Sequence, residues 1–313
     1  MAESGAAQHT LGENAAYQLA NVTKTAPQFG AITPRWLVRF LDWKPLEAGT
    51  LRVNRVVDEK SVEVVCDQKD EKTIPESFVN YDEKPREYRL NSISAVVDVQ
   101  TRISDLFSSP FDQVKEQLRL TIETVKERQE SELLNNHDYG LLNNVAASQR
   151  IQTRSGAPTP DDLDELITKV WKEPSIFLAH PRAIAAFARE CTRRGVPPPT
   201  VSLFGTPFLT WRGIPLVPTD KIHVNGKTNP TEPGGKTSIL LLRVGEKKQG
   251  VIGLFQPGLP GEQTPGLSVR FMGINRQSVG SYLVSLYCSA AVLTEDAIAI
   301  LEQVEVGNYH EYK

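Results

Sequence analysis

Between Pro233 and Ser238 the chain reads PGGKTS, the kind of run in which backbone N–H groups wrap phosphate oxygens while a lysine meets their charge. The full pattern needs a glycine five residues before the Gly-Lys pair; that position is Pro230, no strong strand leads in and no helix leads out, so the run reads as a surface loop. The histidines are His9, His137, His180, His223 and His310, and none stands at ligand spacing from another histidine or a cysteine, so no metal site is expected. His180-Pro181 reads as a helix cap or hinge and His137-Asp138 as an exposed turn. Gly-x-Ser-x-Gly is absent, which removes the strand-to-helix serine nucleophile. The acid pairs Asp161-Asp162 and Glu295-Asp296 fall where first helical turns are expected and there serve the helix dipole. Arg193 and Arg194 follow Cys191 and would lower its pKa, but its spacing from Ala183, Ile184 and Phe187 puts it on an apolar face, as a buried and inert thiol. No catalytic residue, cofactor site or metal site is therefore expected in this chain.

The bulk composition narrows the class. With 313 residues, 40% apolar and 23% charged, the chain has ample material for a packed core. A net charge of −3 argues against nucleic acid as a partner, because phosphate binding needs clustered Lys and Arg. Cys66, Cys191 and Cys288 are odd in number and widely spaced, which fits a reducing cytoplasm better than a disulfide framework. The N-terminus lacks a basic start followed by an apolar stretch, so no signal peptide is expected. Apolar stretches such as Ile239–Val244 and Tyr282–Leu293 fall short of the ~20 residues that span a bilayer, so no membrane partner is expected.

The elements follow from punctuation and period. Residues 1–30 are rich in Ala, Asn, Thr and Gln and build no core of their own. Trp36, Leu37, Val38, Phe40, Leu41 and Trp43, between Pro34 and Pro45, form a short helix or anchoring segment that must pack on something. Residues 51–66 alternate around Asp58–Lys60, a hairpin signal, and the charged stretch onward to Tyr88 has little private core. Ser109-Pro110 opens the strongest helix, with Val114, Leu118, Ile122, Val125 and Leu133 on one face and Lys115, Arg119, Glu123, Lys126, Glu127 and Arg128 supplying charge elsewhere. Its ~25 residues would reach about 37 Å. A second helix starts at Thr159-Pro160 and ends by Pro174; a third runs from Pro181 to Gly195. Strands are expected at 201–203, 208–211, 214–217, 239–244, 251–255, 269–274 and 282–293, with a short helix at Glu295–Glu302. The fold class is α+β with segregated elements, and a subunit so short of private core in two segments completes itself through neighbours.

In its longer segments the sequence resembles the family 2 encapsulin shell proteins, in the branch without an added regulatory domain. ITPRWLVRFLDWKPLEAG at 32–49, SSPFDQVKEQLRLTIETVKERQESELLNN at 108–136 and APTPDDLDELITKVWKEPSIFLAHP at 157–181 carry the likeness, with SLFGTPFLTWRGIPLVPTDK at 202–221 and GVIGLFQPGLPGEQTPGLSVRFMGIN at 250–275. The resemblance implies the phage major-capsid-like (HK97-type) fold: an N-terminal arm at 1–45, an extended loop at 46–90, a peripheral domain with the spine helix at 91–195, an axial domain at 196–275, and a return to the peripheral domain with a tail at 276–313. It implies a homo-oligomer closed into the smallest icosahedral shell, a cytoplasmic encapsulin nanocompartment. The enclosed cargo enzyme would be a cysteine desulfurase of sulfur metabolism, with pyridoxal phosphate on the cargo and none on this chain. A phage or prophage major capsid protein shares the fold and is the alternative. By the same resemblance Gly245, Glu246, Lys247, Lys248 and Gln249, read as the tip of a hairpin between two axial strands, would line the fivefold pore with hydrated, mobile, net-positive side chains.

Overall fold

The computed structural model describes residues 32–54, 65, 76–99, 113–226 and 234–309. The segment between the two prolines forms α1 (Trp36–Phe40) and β1 (Asp42–Pro45). A helix of five residues cannot hold itself together in water; α1 is held because Trp36 and Leu37 are buried in the largest core cluster, each stabilising the fold by about 1.5–3 kcal/mol. The Trp43 Nε1–H donates to the Val38 carbonyl at 2.9 Å and ties β1 back onto the helix. The expected anchoring segment is thus a built-in part of the core.

The described part of the expected hairpin at 51–66 pairs elsewhere. Strand β2 (Thr50–Val53) runs antiparallel to β3 (Arg86–Arg89), Leu51 opposite Tyr88, while the turn at 58–60 lies outside the described residues. Tyr88 decides the pairing: it is buried, its hydroxyl donates to the Val292 carbonyl at 2.8 Å, and Leu51 and Val53 pack around it. Next come β4 (Asn91–Asp98) and the spine, α2 (Gln113–Asn135); its expected start at Ser109-Pro110 lies outside the described residues. Leu118, Ile122 and Val125 of α2 lie against Ile93, Ala95, Val269, Val284 and Leu286, and Leu133 and Leu134 at its end enter the main core.

Then follow β5 (Arg150–Gln152), α3 (Pro160–Lys169), β6 (Ile176–Ala179) and α4 (Pro181–Arg193). Thr159 and Asp162 close a capping box on α3, and the His180 ring accepts the Arg182 N–H at 3.1 Å to cap α4, as expected. The rest is strand: β7 (Thr200–Leu203), β8 (Thr206–Trp211), β9 (Ile214–Pro218), β10 (Lys236–Leu242), β11 (Val251–Phe255), β12 (Glu262–Thr264), β13 (Leu267–Ile274), β14 (Gly280–Val292) and β15 (Ile298–Glu305).

Two sheets organise these strands, and the class is α+β. A seven-stranded sheet has the order β5-β15-β10-β6-β9-β8-β7; a six-stranded sheet has the order β1-β11-β14-β13-β12, with β4 also on β14. Ile239 and Leu241 of β10 face Leu163, Leu166 and Phe187 of α3 and α4, while Leu240 and Leu242 face α1 and the end of α2. A strand covered on both sides needs an unbroken apolar run, which is why 239–242 reads ILLL. Both sheets draw on distant segments: the seven-stranded one on residues from 150 to 305, the six-stranded one on 42–45, 91–98 and 251–292.

The helix expected at Glu295–Glu302 is not there. Glu295–Ala297 make one 3-10 turn, and Ile298–Glu305 is strand β15, between β5 and β10. Ile298 and Ile300 enter one core cluster, Ala299 and Leu301 the other, so the period is two with both faces covered; a helix would leave half of these side chains without a core.

Candidate functional site

Residues 234–238, the described part of PGGKTS, do not form a phosphate cradle. Lys236 and Thr237 open strand β10 instead of a helix; the Thr237 hydroxyl donates to the His223 carbonyl at 3.0 Å, and Lys236 Nζ lies 3.9 Å from Glu305. Among the described residues no group of three or more His, Cys, Asp or Glu could hold a metal ion. Cys191 and Cys288 are free and buried; burial pushes their thiols up to about 11 and about 12, so both stay protonated near neutral pH. His137 is exposed beside Asp138, as expected.

The turn at Gly245–Gln249 differs from its expected form. Strand β10 belongs to the seven-stranded sheet and β11 to the six-stranded one, so residues 243–250 are a crossover between sheets and not the tip of a hairpin. Glycines at both ends had suggested a hairpin, but each answers to the crossing chain. Gly245 has φ 113°, open to glycine alone, and a Cβ on Gly250 would meet the Arg243 carbonyl oxygen at 2.3 Å.

Arg243 holds the crossover from below. It is fully buried, and Nη2 donates to Asp296 Oδ1 and Thr294 Oγ1 at 2.8 Å each, while Nη1 reaches Asp296 Oδ2 at 3.3 Å. Lys172 Nζ adds a contact to Asp296 at 3.0 Å. Burial works to raise the Asp296 pKa, but the bonds from Arg243, Thr294 and Lys172 outweigh it and hold the carboxyl well below its usual range. Asp296, expected to serve a helix dipole, instead neutralises the cation beneath the turn. The sequence carried a signal for this: Arg243 is a lone charge after the apolar run ILLL.

At the rim, Glu246, Lys247, Lys248 and Gln249 are exposed in the single subunit. Two of them are paired within the chain. Glu246 meets Lys44 of β1 at 3.0 Å, and Lys248 meets Glu173 at 3.0 Å. The Glu246 N–H also donates to Asp42 Oδ2 at 3.4 Å. Phe40, Asp42, Lys44, Ser175, Ile176 and the turn enclose an open basin of about 580 Å³.

A second cluster fixes the segment ahead of α1 to the spine. Glu127 accepts the Thr33 N–H and hydroxyl at 2.8 Å each, Arg35 reaches Glu123 at 2.6 Å, and Lys221 meets Glu127 at 3.1 Å. About one helical turn further on, Glu130 accepts the Leu37 N–H at 3.0 Å while almost fully buried. Burial raises the Glu130 pKa to about 7, with Leu37 and Lys221 pulling it down and Glu127 and Asp220 pushing it up. Glu123 and Glu127, read from the sequence as charge away from the apolar face of the spine, hold the chain entering the core.

The sequence and the architecture are similar to those of known proteins. Residues 48–308 match the family described as SrpI-like, type 2A encapsulin shell protein. The chain is 65% identical to the type 2A encapsulin shell protein SrpI of Synechococcus elongatus over 308 residues, 98% of each chain. It superposes on a subunit of the cryo-electron microscopy structure of the holo-SrpI encapsulin complex from Synechococcus elongatus with a TM-score of 0.82 and 62% identity, covering 97% of this chain and 99% of that one. The capsid of a native GTA particle shares the fold at a TM-score of 0.61 and 12% identity, over 87% of this chain and 91% of that one.

Proposed function

This chain belongs to the SrpI-like type 2A encapsulin shell proteins and is a capsid-like structural subunit, not an enzyme; from that premise we propose that it closes with its copies into the smallest icosahedral shell, around a cysteine desulfurase cargo of sulfur metabolism. The observation that carries the reading is the likeness to a holo shell complex along 97% of the chain at a TM-score of 0.82. Family membership separates it from capsids such as that of the GTA particle, whose likeness lies in the fold alone. The desulfurase follows the branch of the family without a regulatory domain. Its pyridoxal phosphate resides on the cargo, and this chain carries no cofactor of its own.

Other features support parts of the reading. The protonated, unpaired thiols of Cys191 and Cys288 suit a reducing cytoplasm. We propose further that the arm at 1–45 and the extended loop at 46–90 would contact neighbours, that the strand-rich axial region would meet the symmetry axes, and that the turn Gly245–Gln249 would converge at the fivefold axis. Expression of the chain alone should give particles of megadalton size by gel filtration and closed shells by electron microscopy. Co-expression with a desulfurase from the same genome should place its yellow pyridoxal-phosphate absorbance in the shell fraction, and shells made without cargo should have no desulfurase activity. A small oligomer would overturn the shell; activity in empty shells would overturn the division of labour.

A further inference from the structure

Asn225-Gly226, just ahead of the neck that leads into β10, is the sole Asn-Gly step in the sequence. An asparagine followed by glycine is the peptide step most open to ring closure on itself, because glycine carries no Cβ to hinder attack by its own nitrogen. In that reaction the Gly226 nitrogen bonds to Asn225 Cγ, its proton passes to Nδ2, and Nδ2 leaves as ammonia. Water then opens the cyclic imide at either carbonyl, giving aspartate or isoaspartate. No oxidant, cofactor or second protein is needed.

Both reacting groups stand free. Asn225 and Gly226 are exposed, and among the described residues neither the Asn225 amide nor the Gly226 N–H has a hydrogen-bond partner. Other asparagines are held. Asn91 Oδ1 accepts the Ser92 N–H, Asn275 Oδ1 accepts from Gln277 and Val279, and Asn136 and Asn144 donate through Nδ2 to Glu132 and to the Gly140 carbonyl. Each of these is followed by a residue that carries a Cβ.

What the reaction would change is set by the neck. Asn225 and Lys236 exchange both backbone hydrogen bonds at 2.7 Å, and the Val306 N–H of the chain leaving β15 donates to the Gly235 carbonyl at 3.1 Å. The two strands of the neck approach as only glycine permits. A Cβ on Gly226 would stand 3.0 Å from Gly235 Cα, and one on Gly235 would stand 2.5 Å from Val224 Cγ1. Isoaspartate routes the main chain through its own Cβ, so the backbone gains one carbon where none fits. We propose that Asn225-Gly226 is a site of spontaneous deamidation, and that isoaspartate formed there breaks the Asn225–Lys236 pair and frees the start of β10. Strand β10 lies between β15 and β6 in the seven-stranded sheet, so a slow, one-way change at an exposed turn reaches the edge of the core. The inference stands apart from the shell reading: it needs the folded chain and not its assembly.

Ageing the purified full chain tests it. Samples kept at 37 °C and at pH 6 or pH 8 are digested, and peptide mass spectrometry finds each asparagine that has gained the mass of an amide turned to acid. A methyltransferase specific for isoaspartate labels that product. Conversion at Asn225 should exceed that at Asn144 or Asn308 by about tenfold and run faster at pH 8, where base removes the Gly226 amide proton more readily. Asn225→Gln and Asn225→Ser, both at an exposed position, should abolish the label at this site. Hydrogen exchange then reads the neck. In the aged wild-type chain the Lys236 and Val306 amides should lose protection about tenfold, while Leu240 in the centre of β10 keeps its own; in both aged variants all three stay protected. Conversion at Asn225 no greater than at Asn144 or Asn308 would overturn the site. Conversion with the Lys236 and Val306 amides still protected, or equal loss of protection in the aged variants, would overturn the opening of the neck.

Discussion

Glu130 shows how one side chain sets a pH dependence for the whole fold. It sits 1% exposed on α2, where an ionised carboxylate loses its water and receives the Leu37 N–H in return. Burial is the larger effect and raises the pKa from 4.5 to about 7. The folded chain therefore keeps a proton that the unfolded chain has released. The stability this proton confers is full below the unfolded pKa of 4.5, declines as pH rises, and is lost once pH passes the folded pKa of about 7. Glu130→Gln keeps an oxygen for Leu37 and removes the titration. It should stabilise the fold by about 2 kcal/mol at pH 8 and have almost no effect at pH 4, read from denaturant midpoints at both pH values. Equal shifts at the two pH values would mean that shape, and not charge, dominates the site.

At the scale of elements, the crossover from β10 to β11 shows what the chain makes legible and what it hides. The apolar runs on both sides and the charged residues between them are plain in the sequence, and both strands form where expected. Which sheet each strand joins is not plain, because an apolar run fits any covered position in a sheet. The same ambiguity turned an expected helix into β15: Ile298–Leu301 has no helical stripe, only two buried faces. The two capped helices α3 and α4 were read well because caps are local chemistry, as at Thr159-Pro160 and His180-Pro181. Partners such as Arg243 and Asp296, far apart in sequence, leave only the trace of a lone charge in an apolar run. The crossover should tolerate change at its rim and resist it at Gly250, whose added Cβ would meet the Arg243 carbonyl at 2.3 Å. Gly250→Ala should lower stability by about 2 kcal/mol, whereas Lys247→Ala should stay within about 0.5 kcal/mol, both by thermal unfolding at matched protein concentration.

For the whole molecule, the charge of the turn Gly245–Gln249 depends on what surrounds it. A count over five copies of the bare turn gives a positive ring, but the folded chain sets Lys44 against Glu246 and Glu173 against Lys248. Both pairs are partly exposed, so water and salt weaken them and they change the local potential more than the stability. With those pairs made, and with Lys44 also 3.5 Å from Asp42, Lys247 is the lysine of the turn that stands outside a described ion pair, its ammonium exposed at the rim of each copy. At a fivefold opening, five such ammonium groups would draw small anions, including the carboxylate of an amino-acid substrate, and the attraction would fade within about 8 Å at physiological salt. Lys247→Glu reverses that charge without touching a described ion pair. In shells loaded with cargo it should slow turnover of an anionic substrate at low salt, and the difference should close as salt rises. Lys248→Glu also sets like charges at Glu173, so it should slow turnover and loosen the turn at once. Equal turnover by Lys247→Glu and wild-type shells at low salt would show that the turn does not govern entry, wherever it lies in the shell. A density map of the shell with residues 245–249 far from the fivefold axis would remove the pore assignment itself.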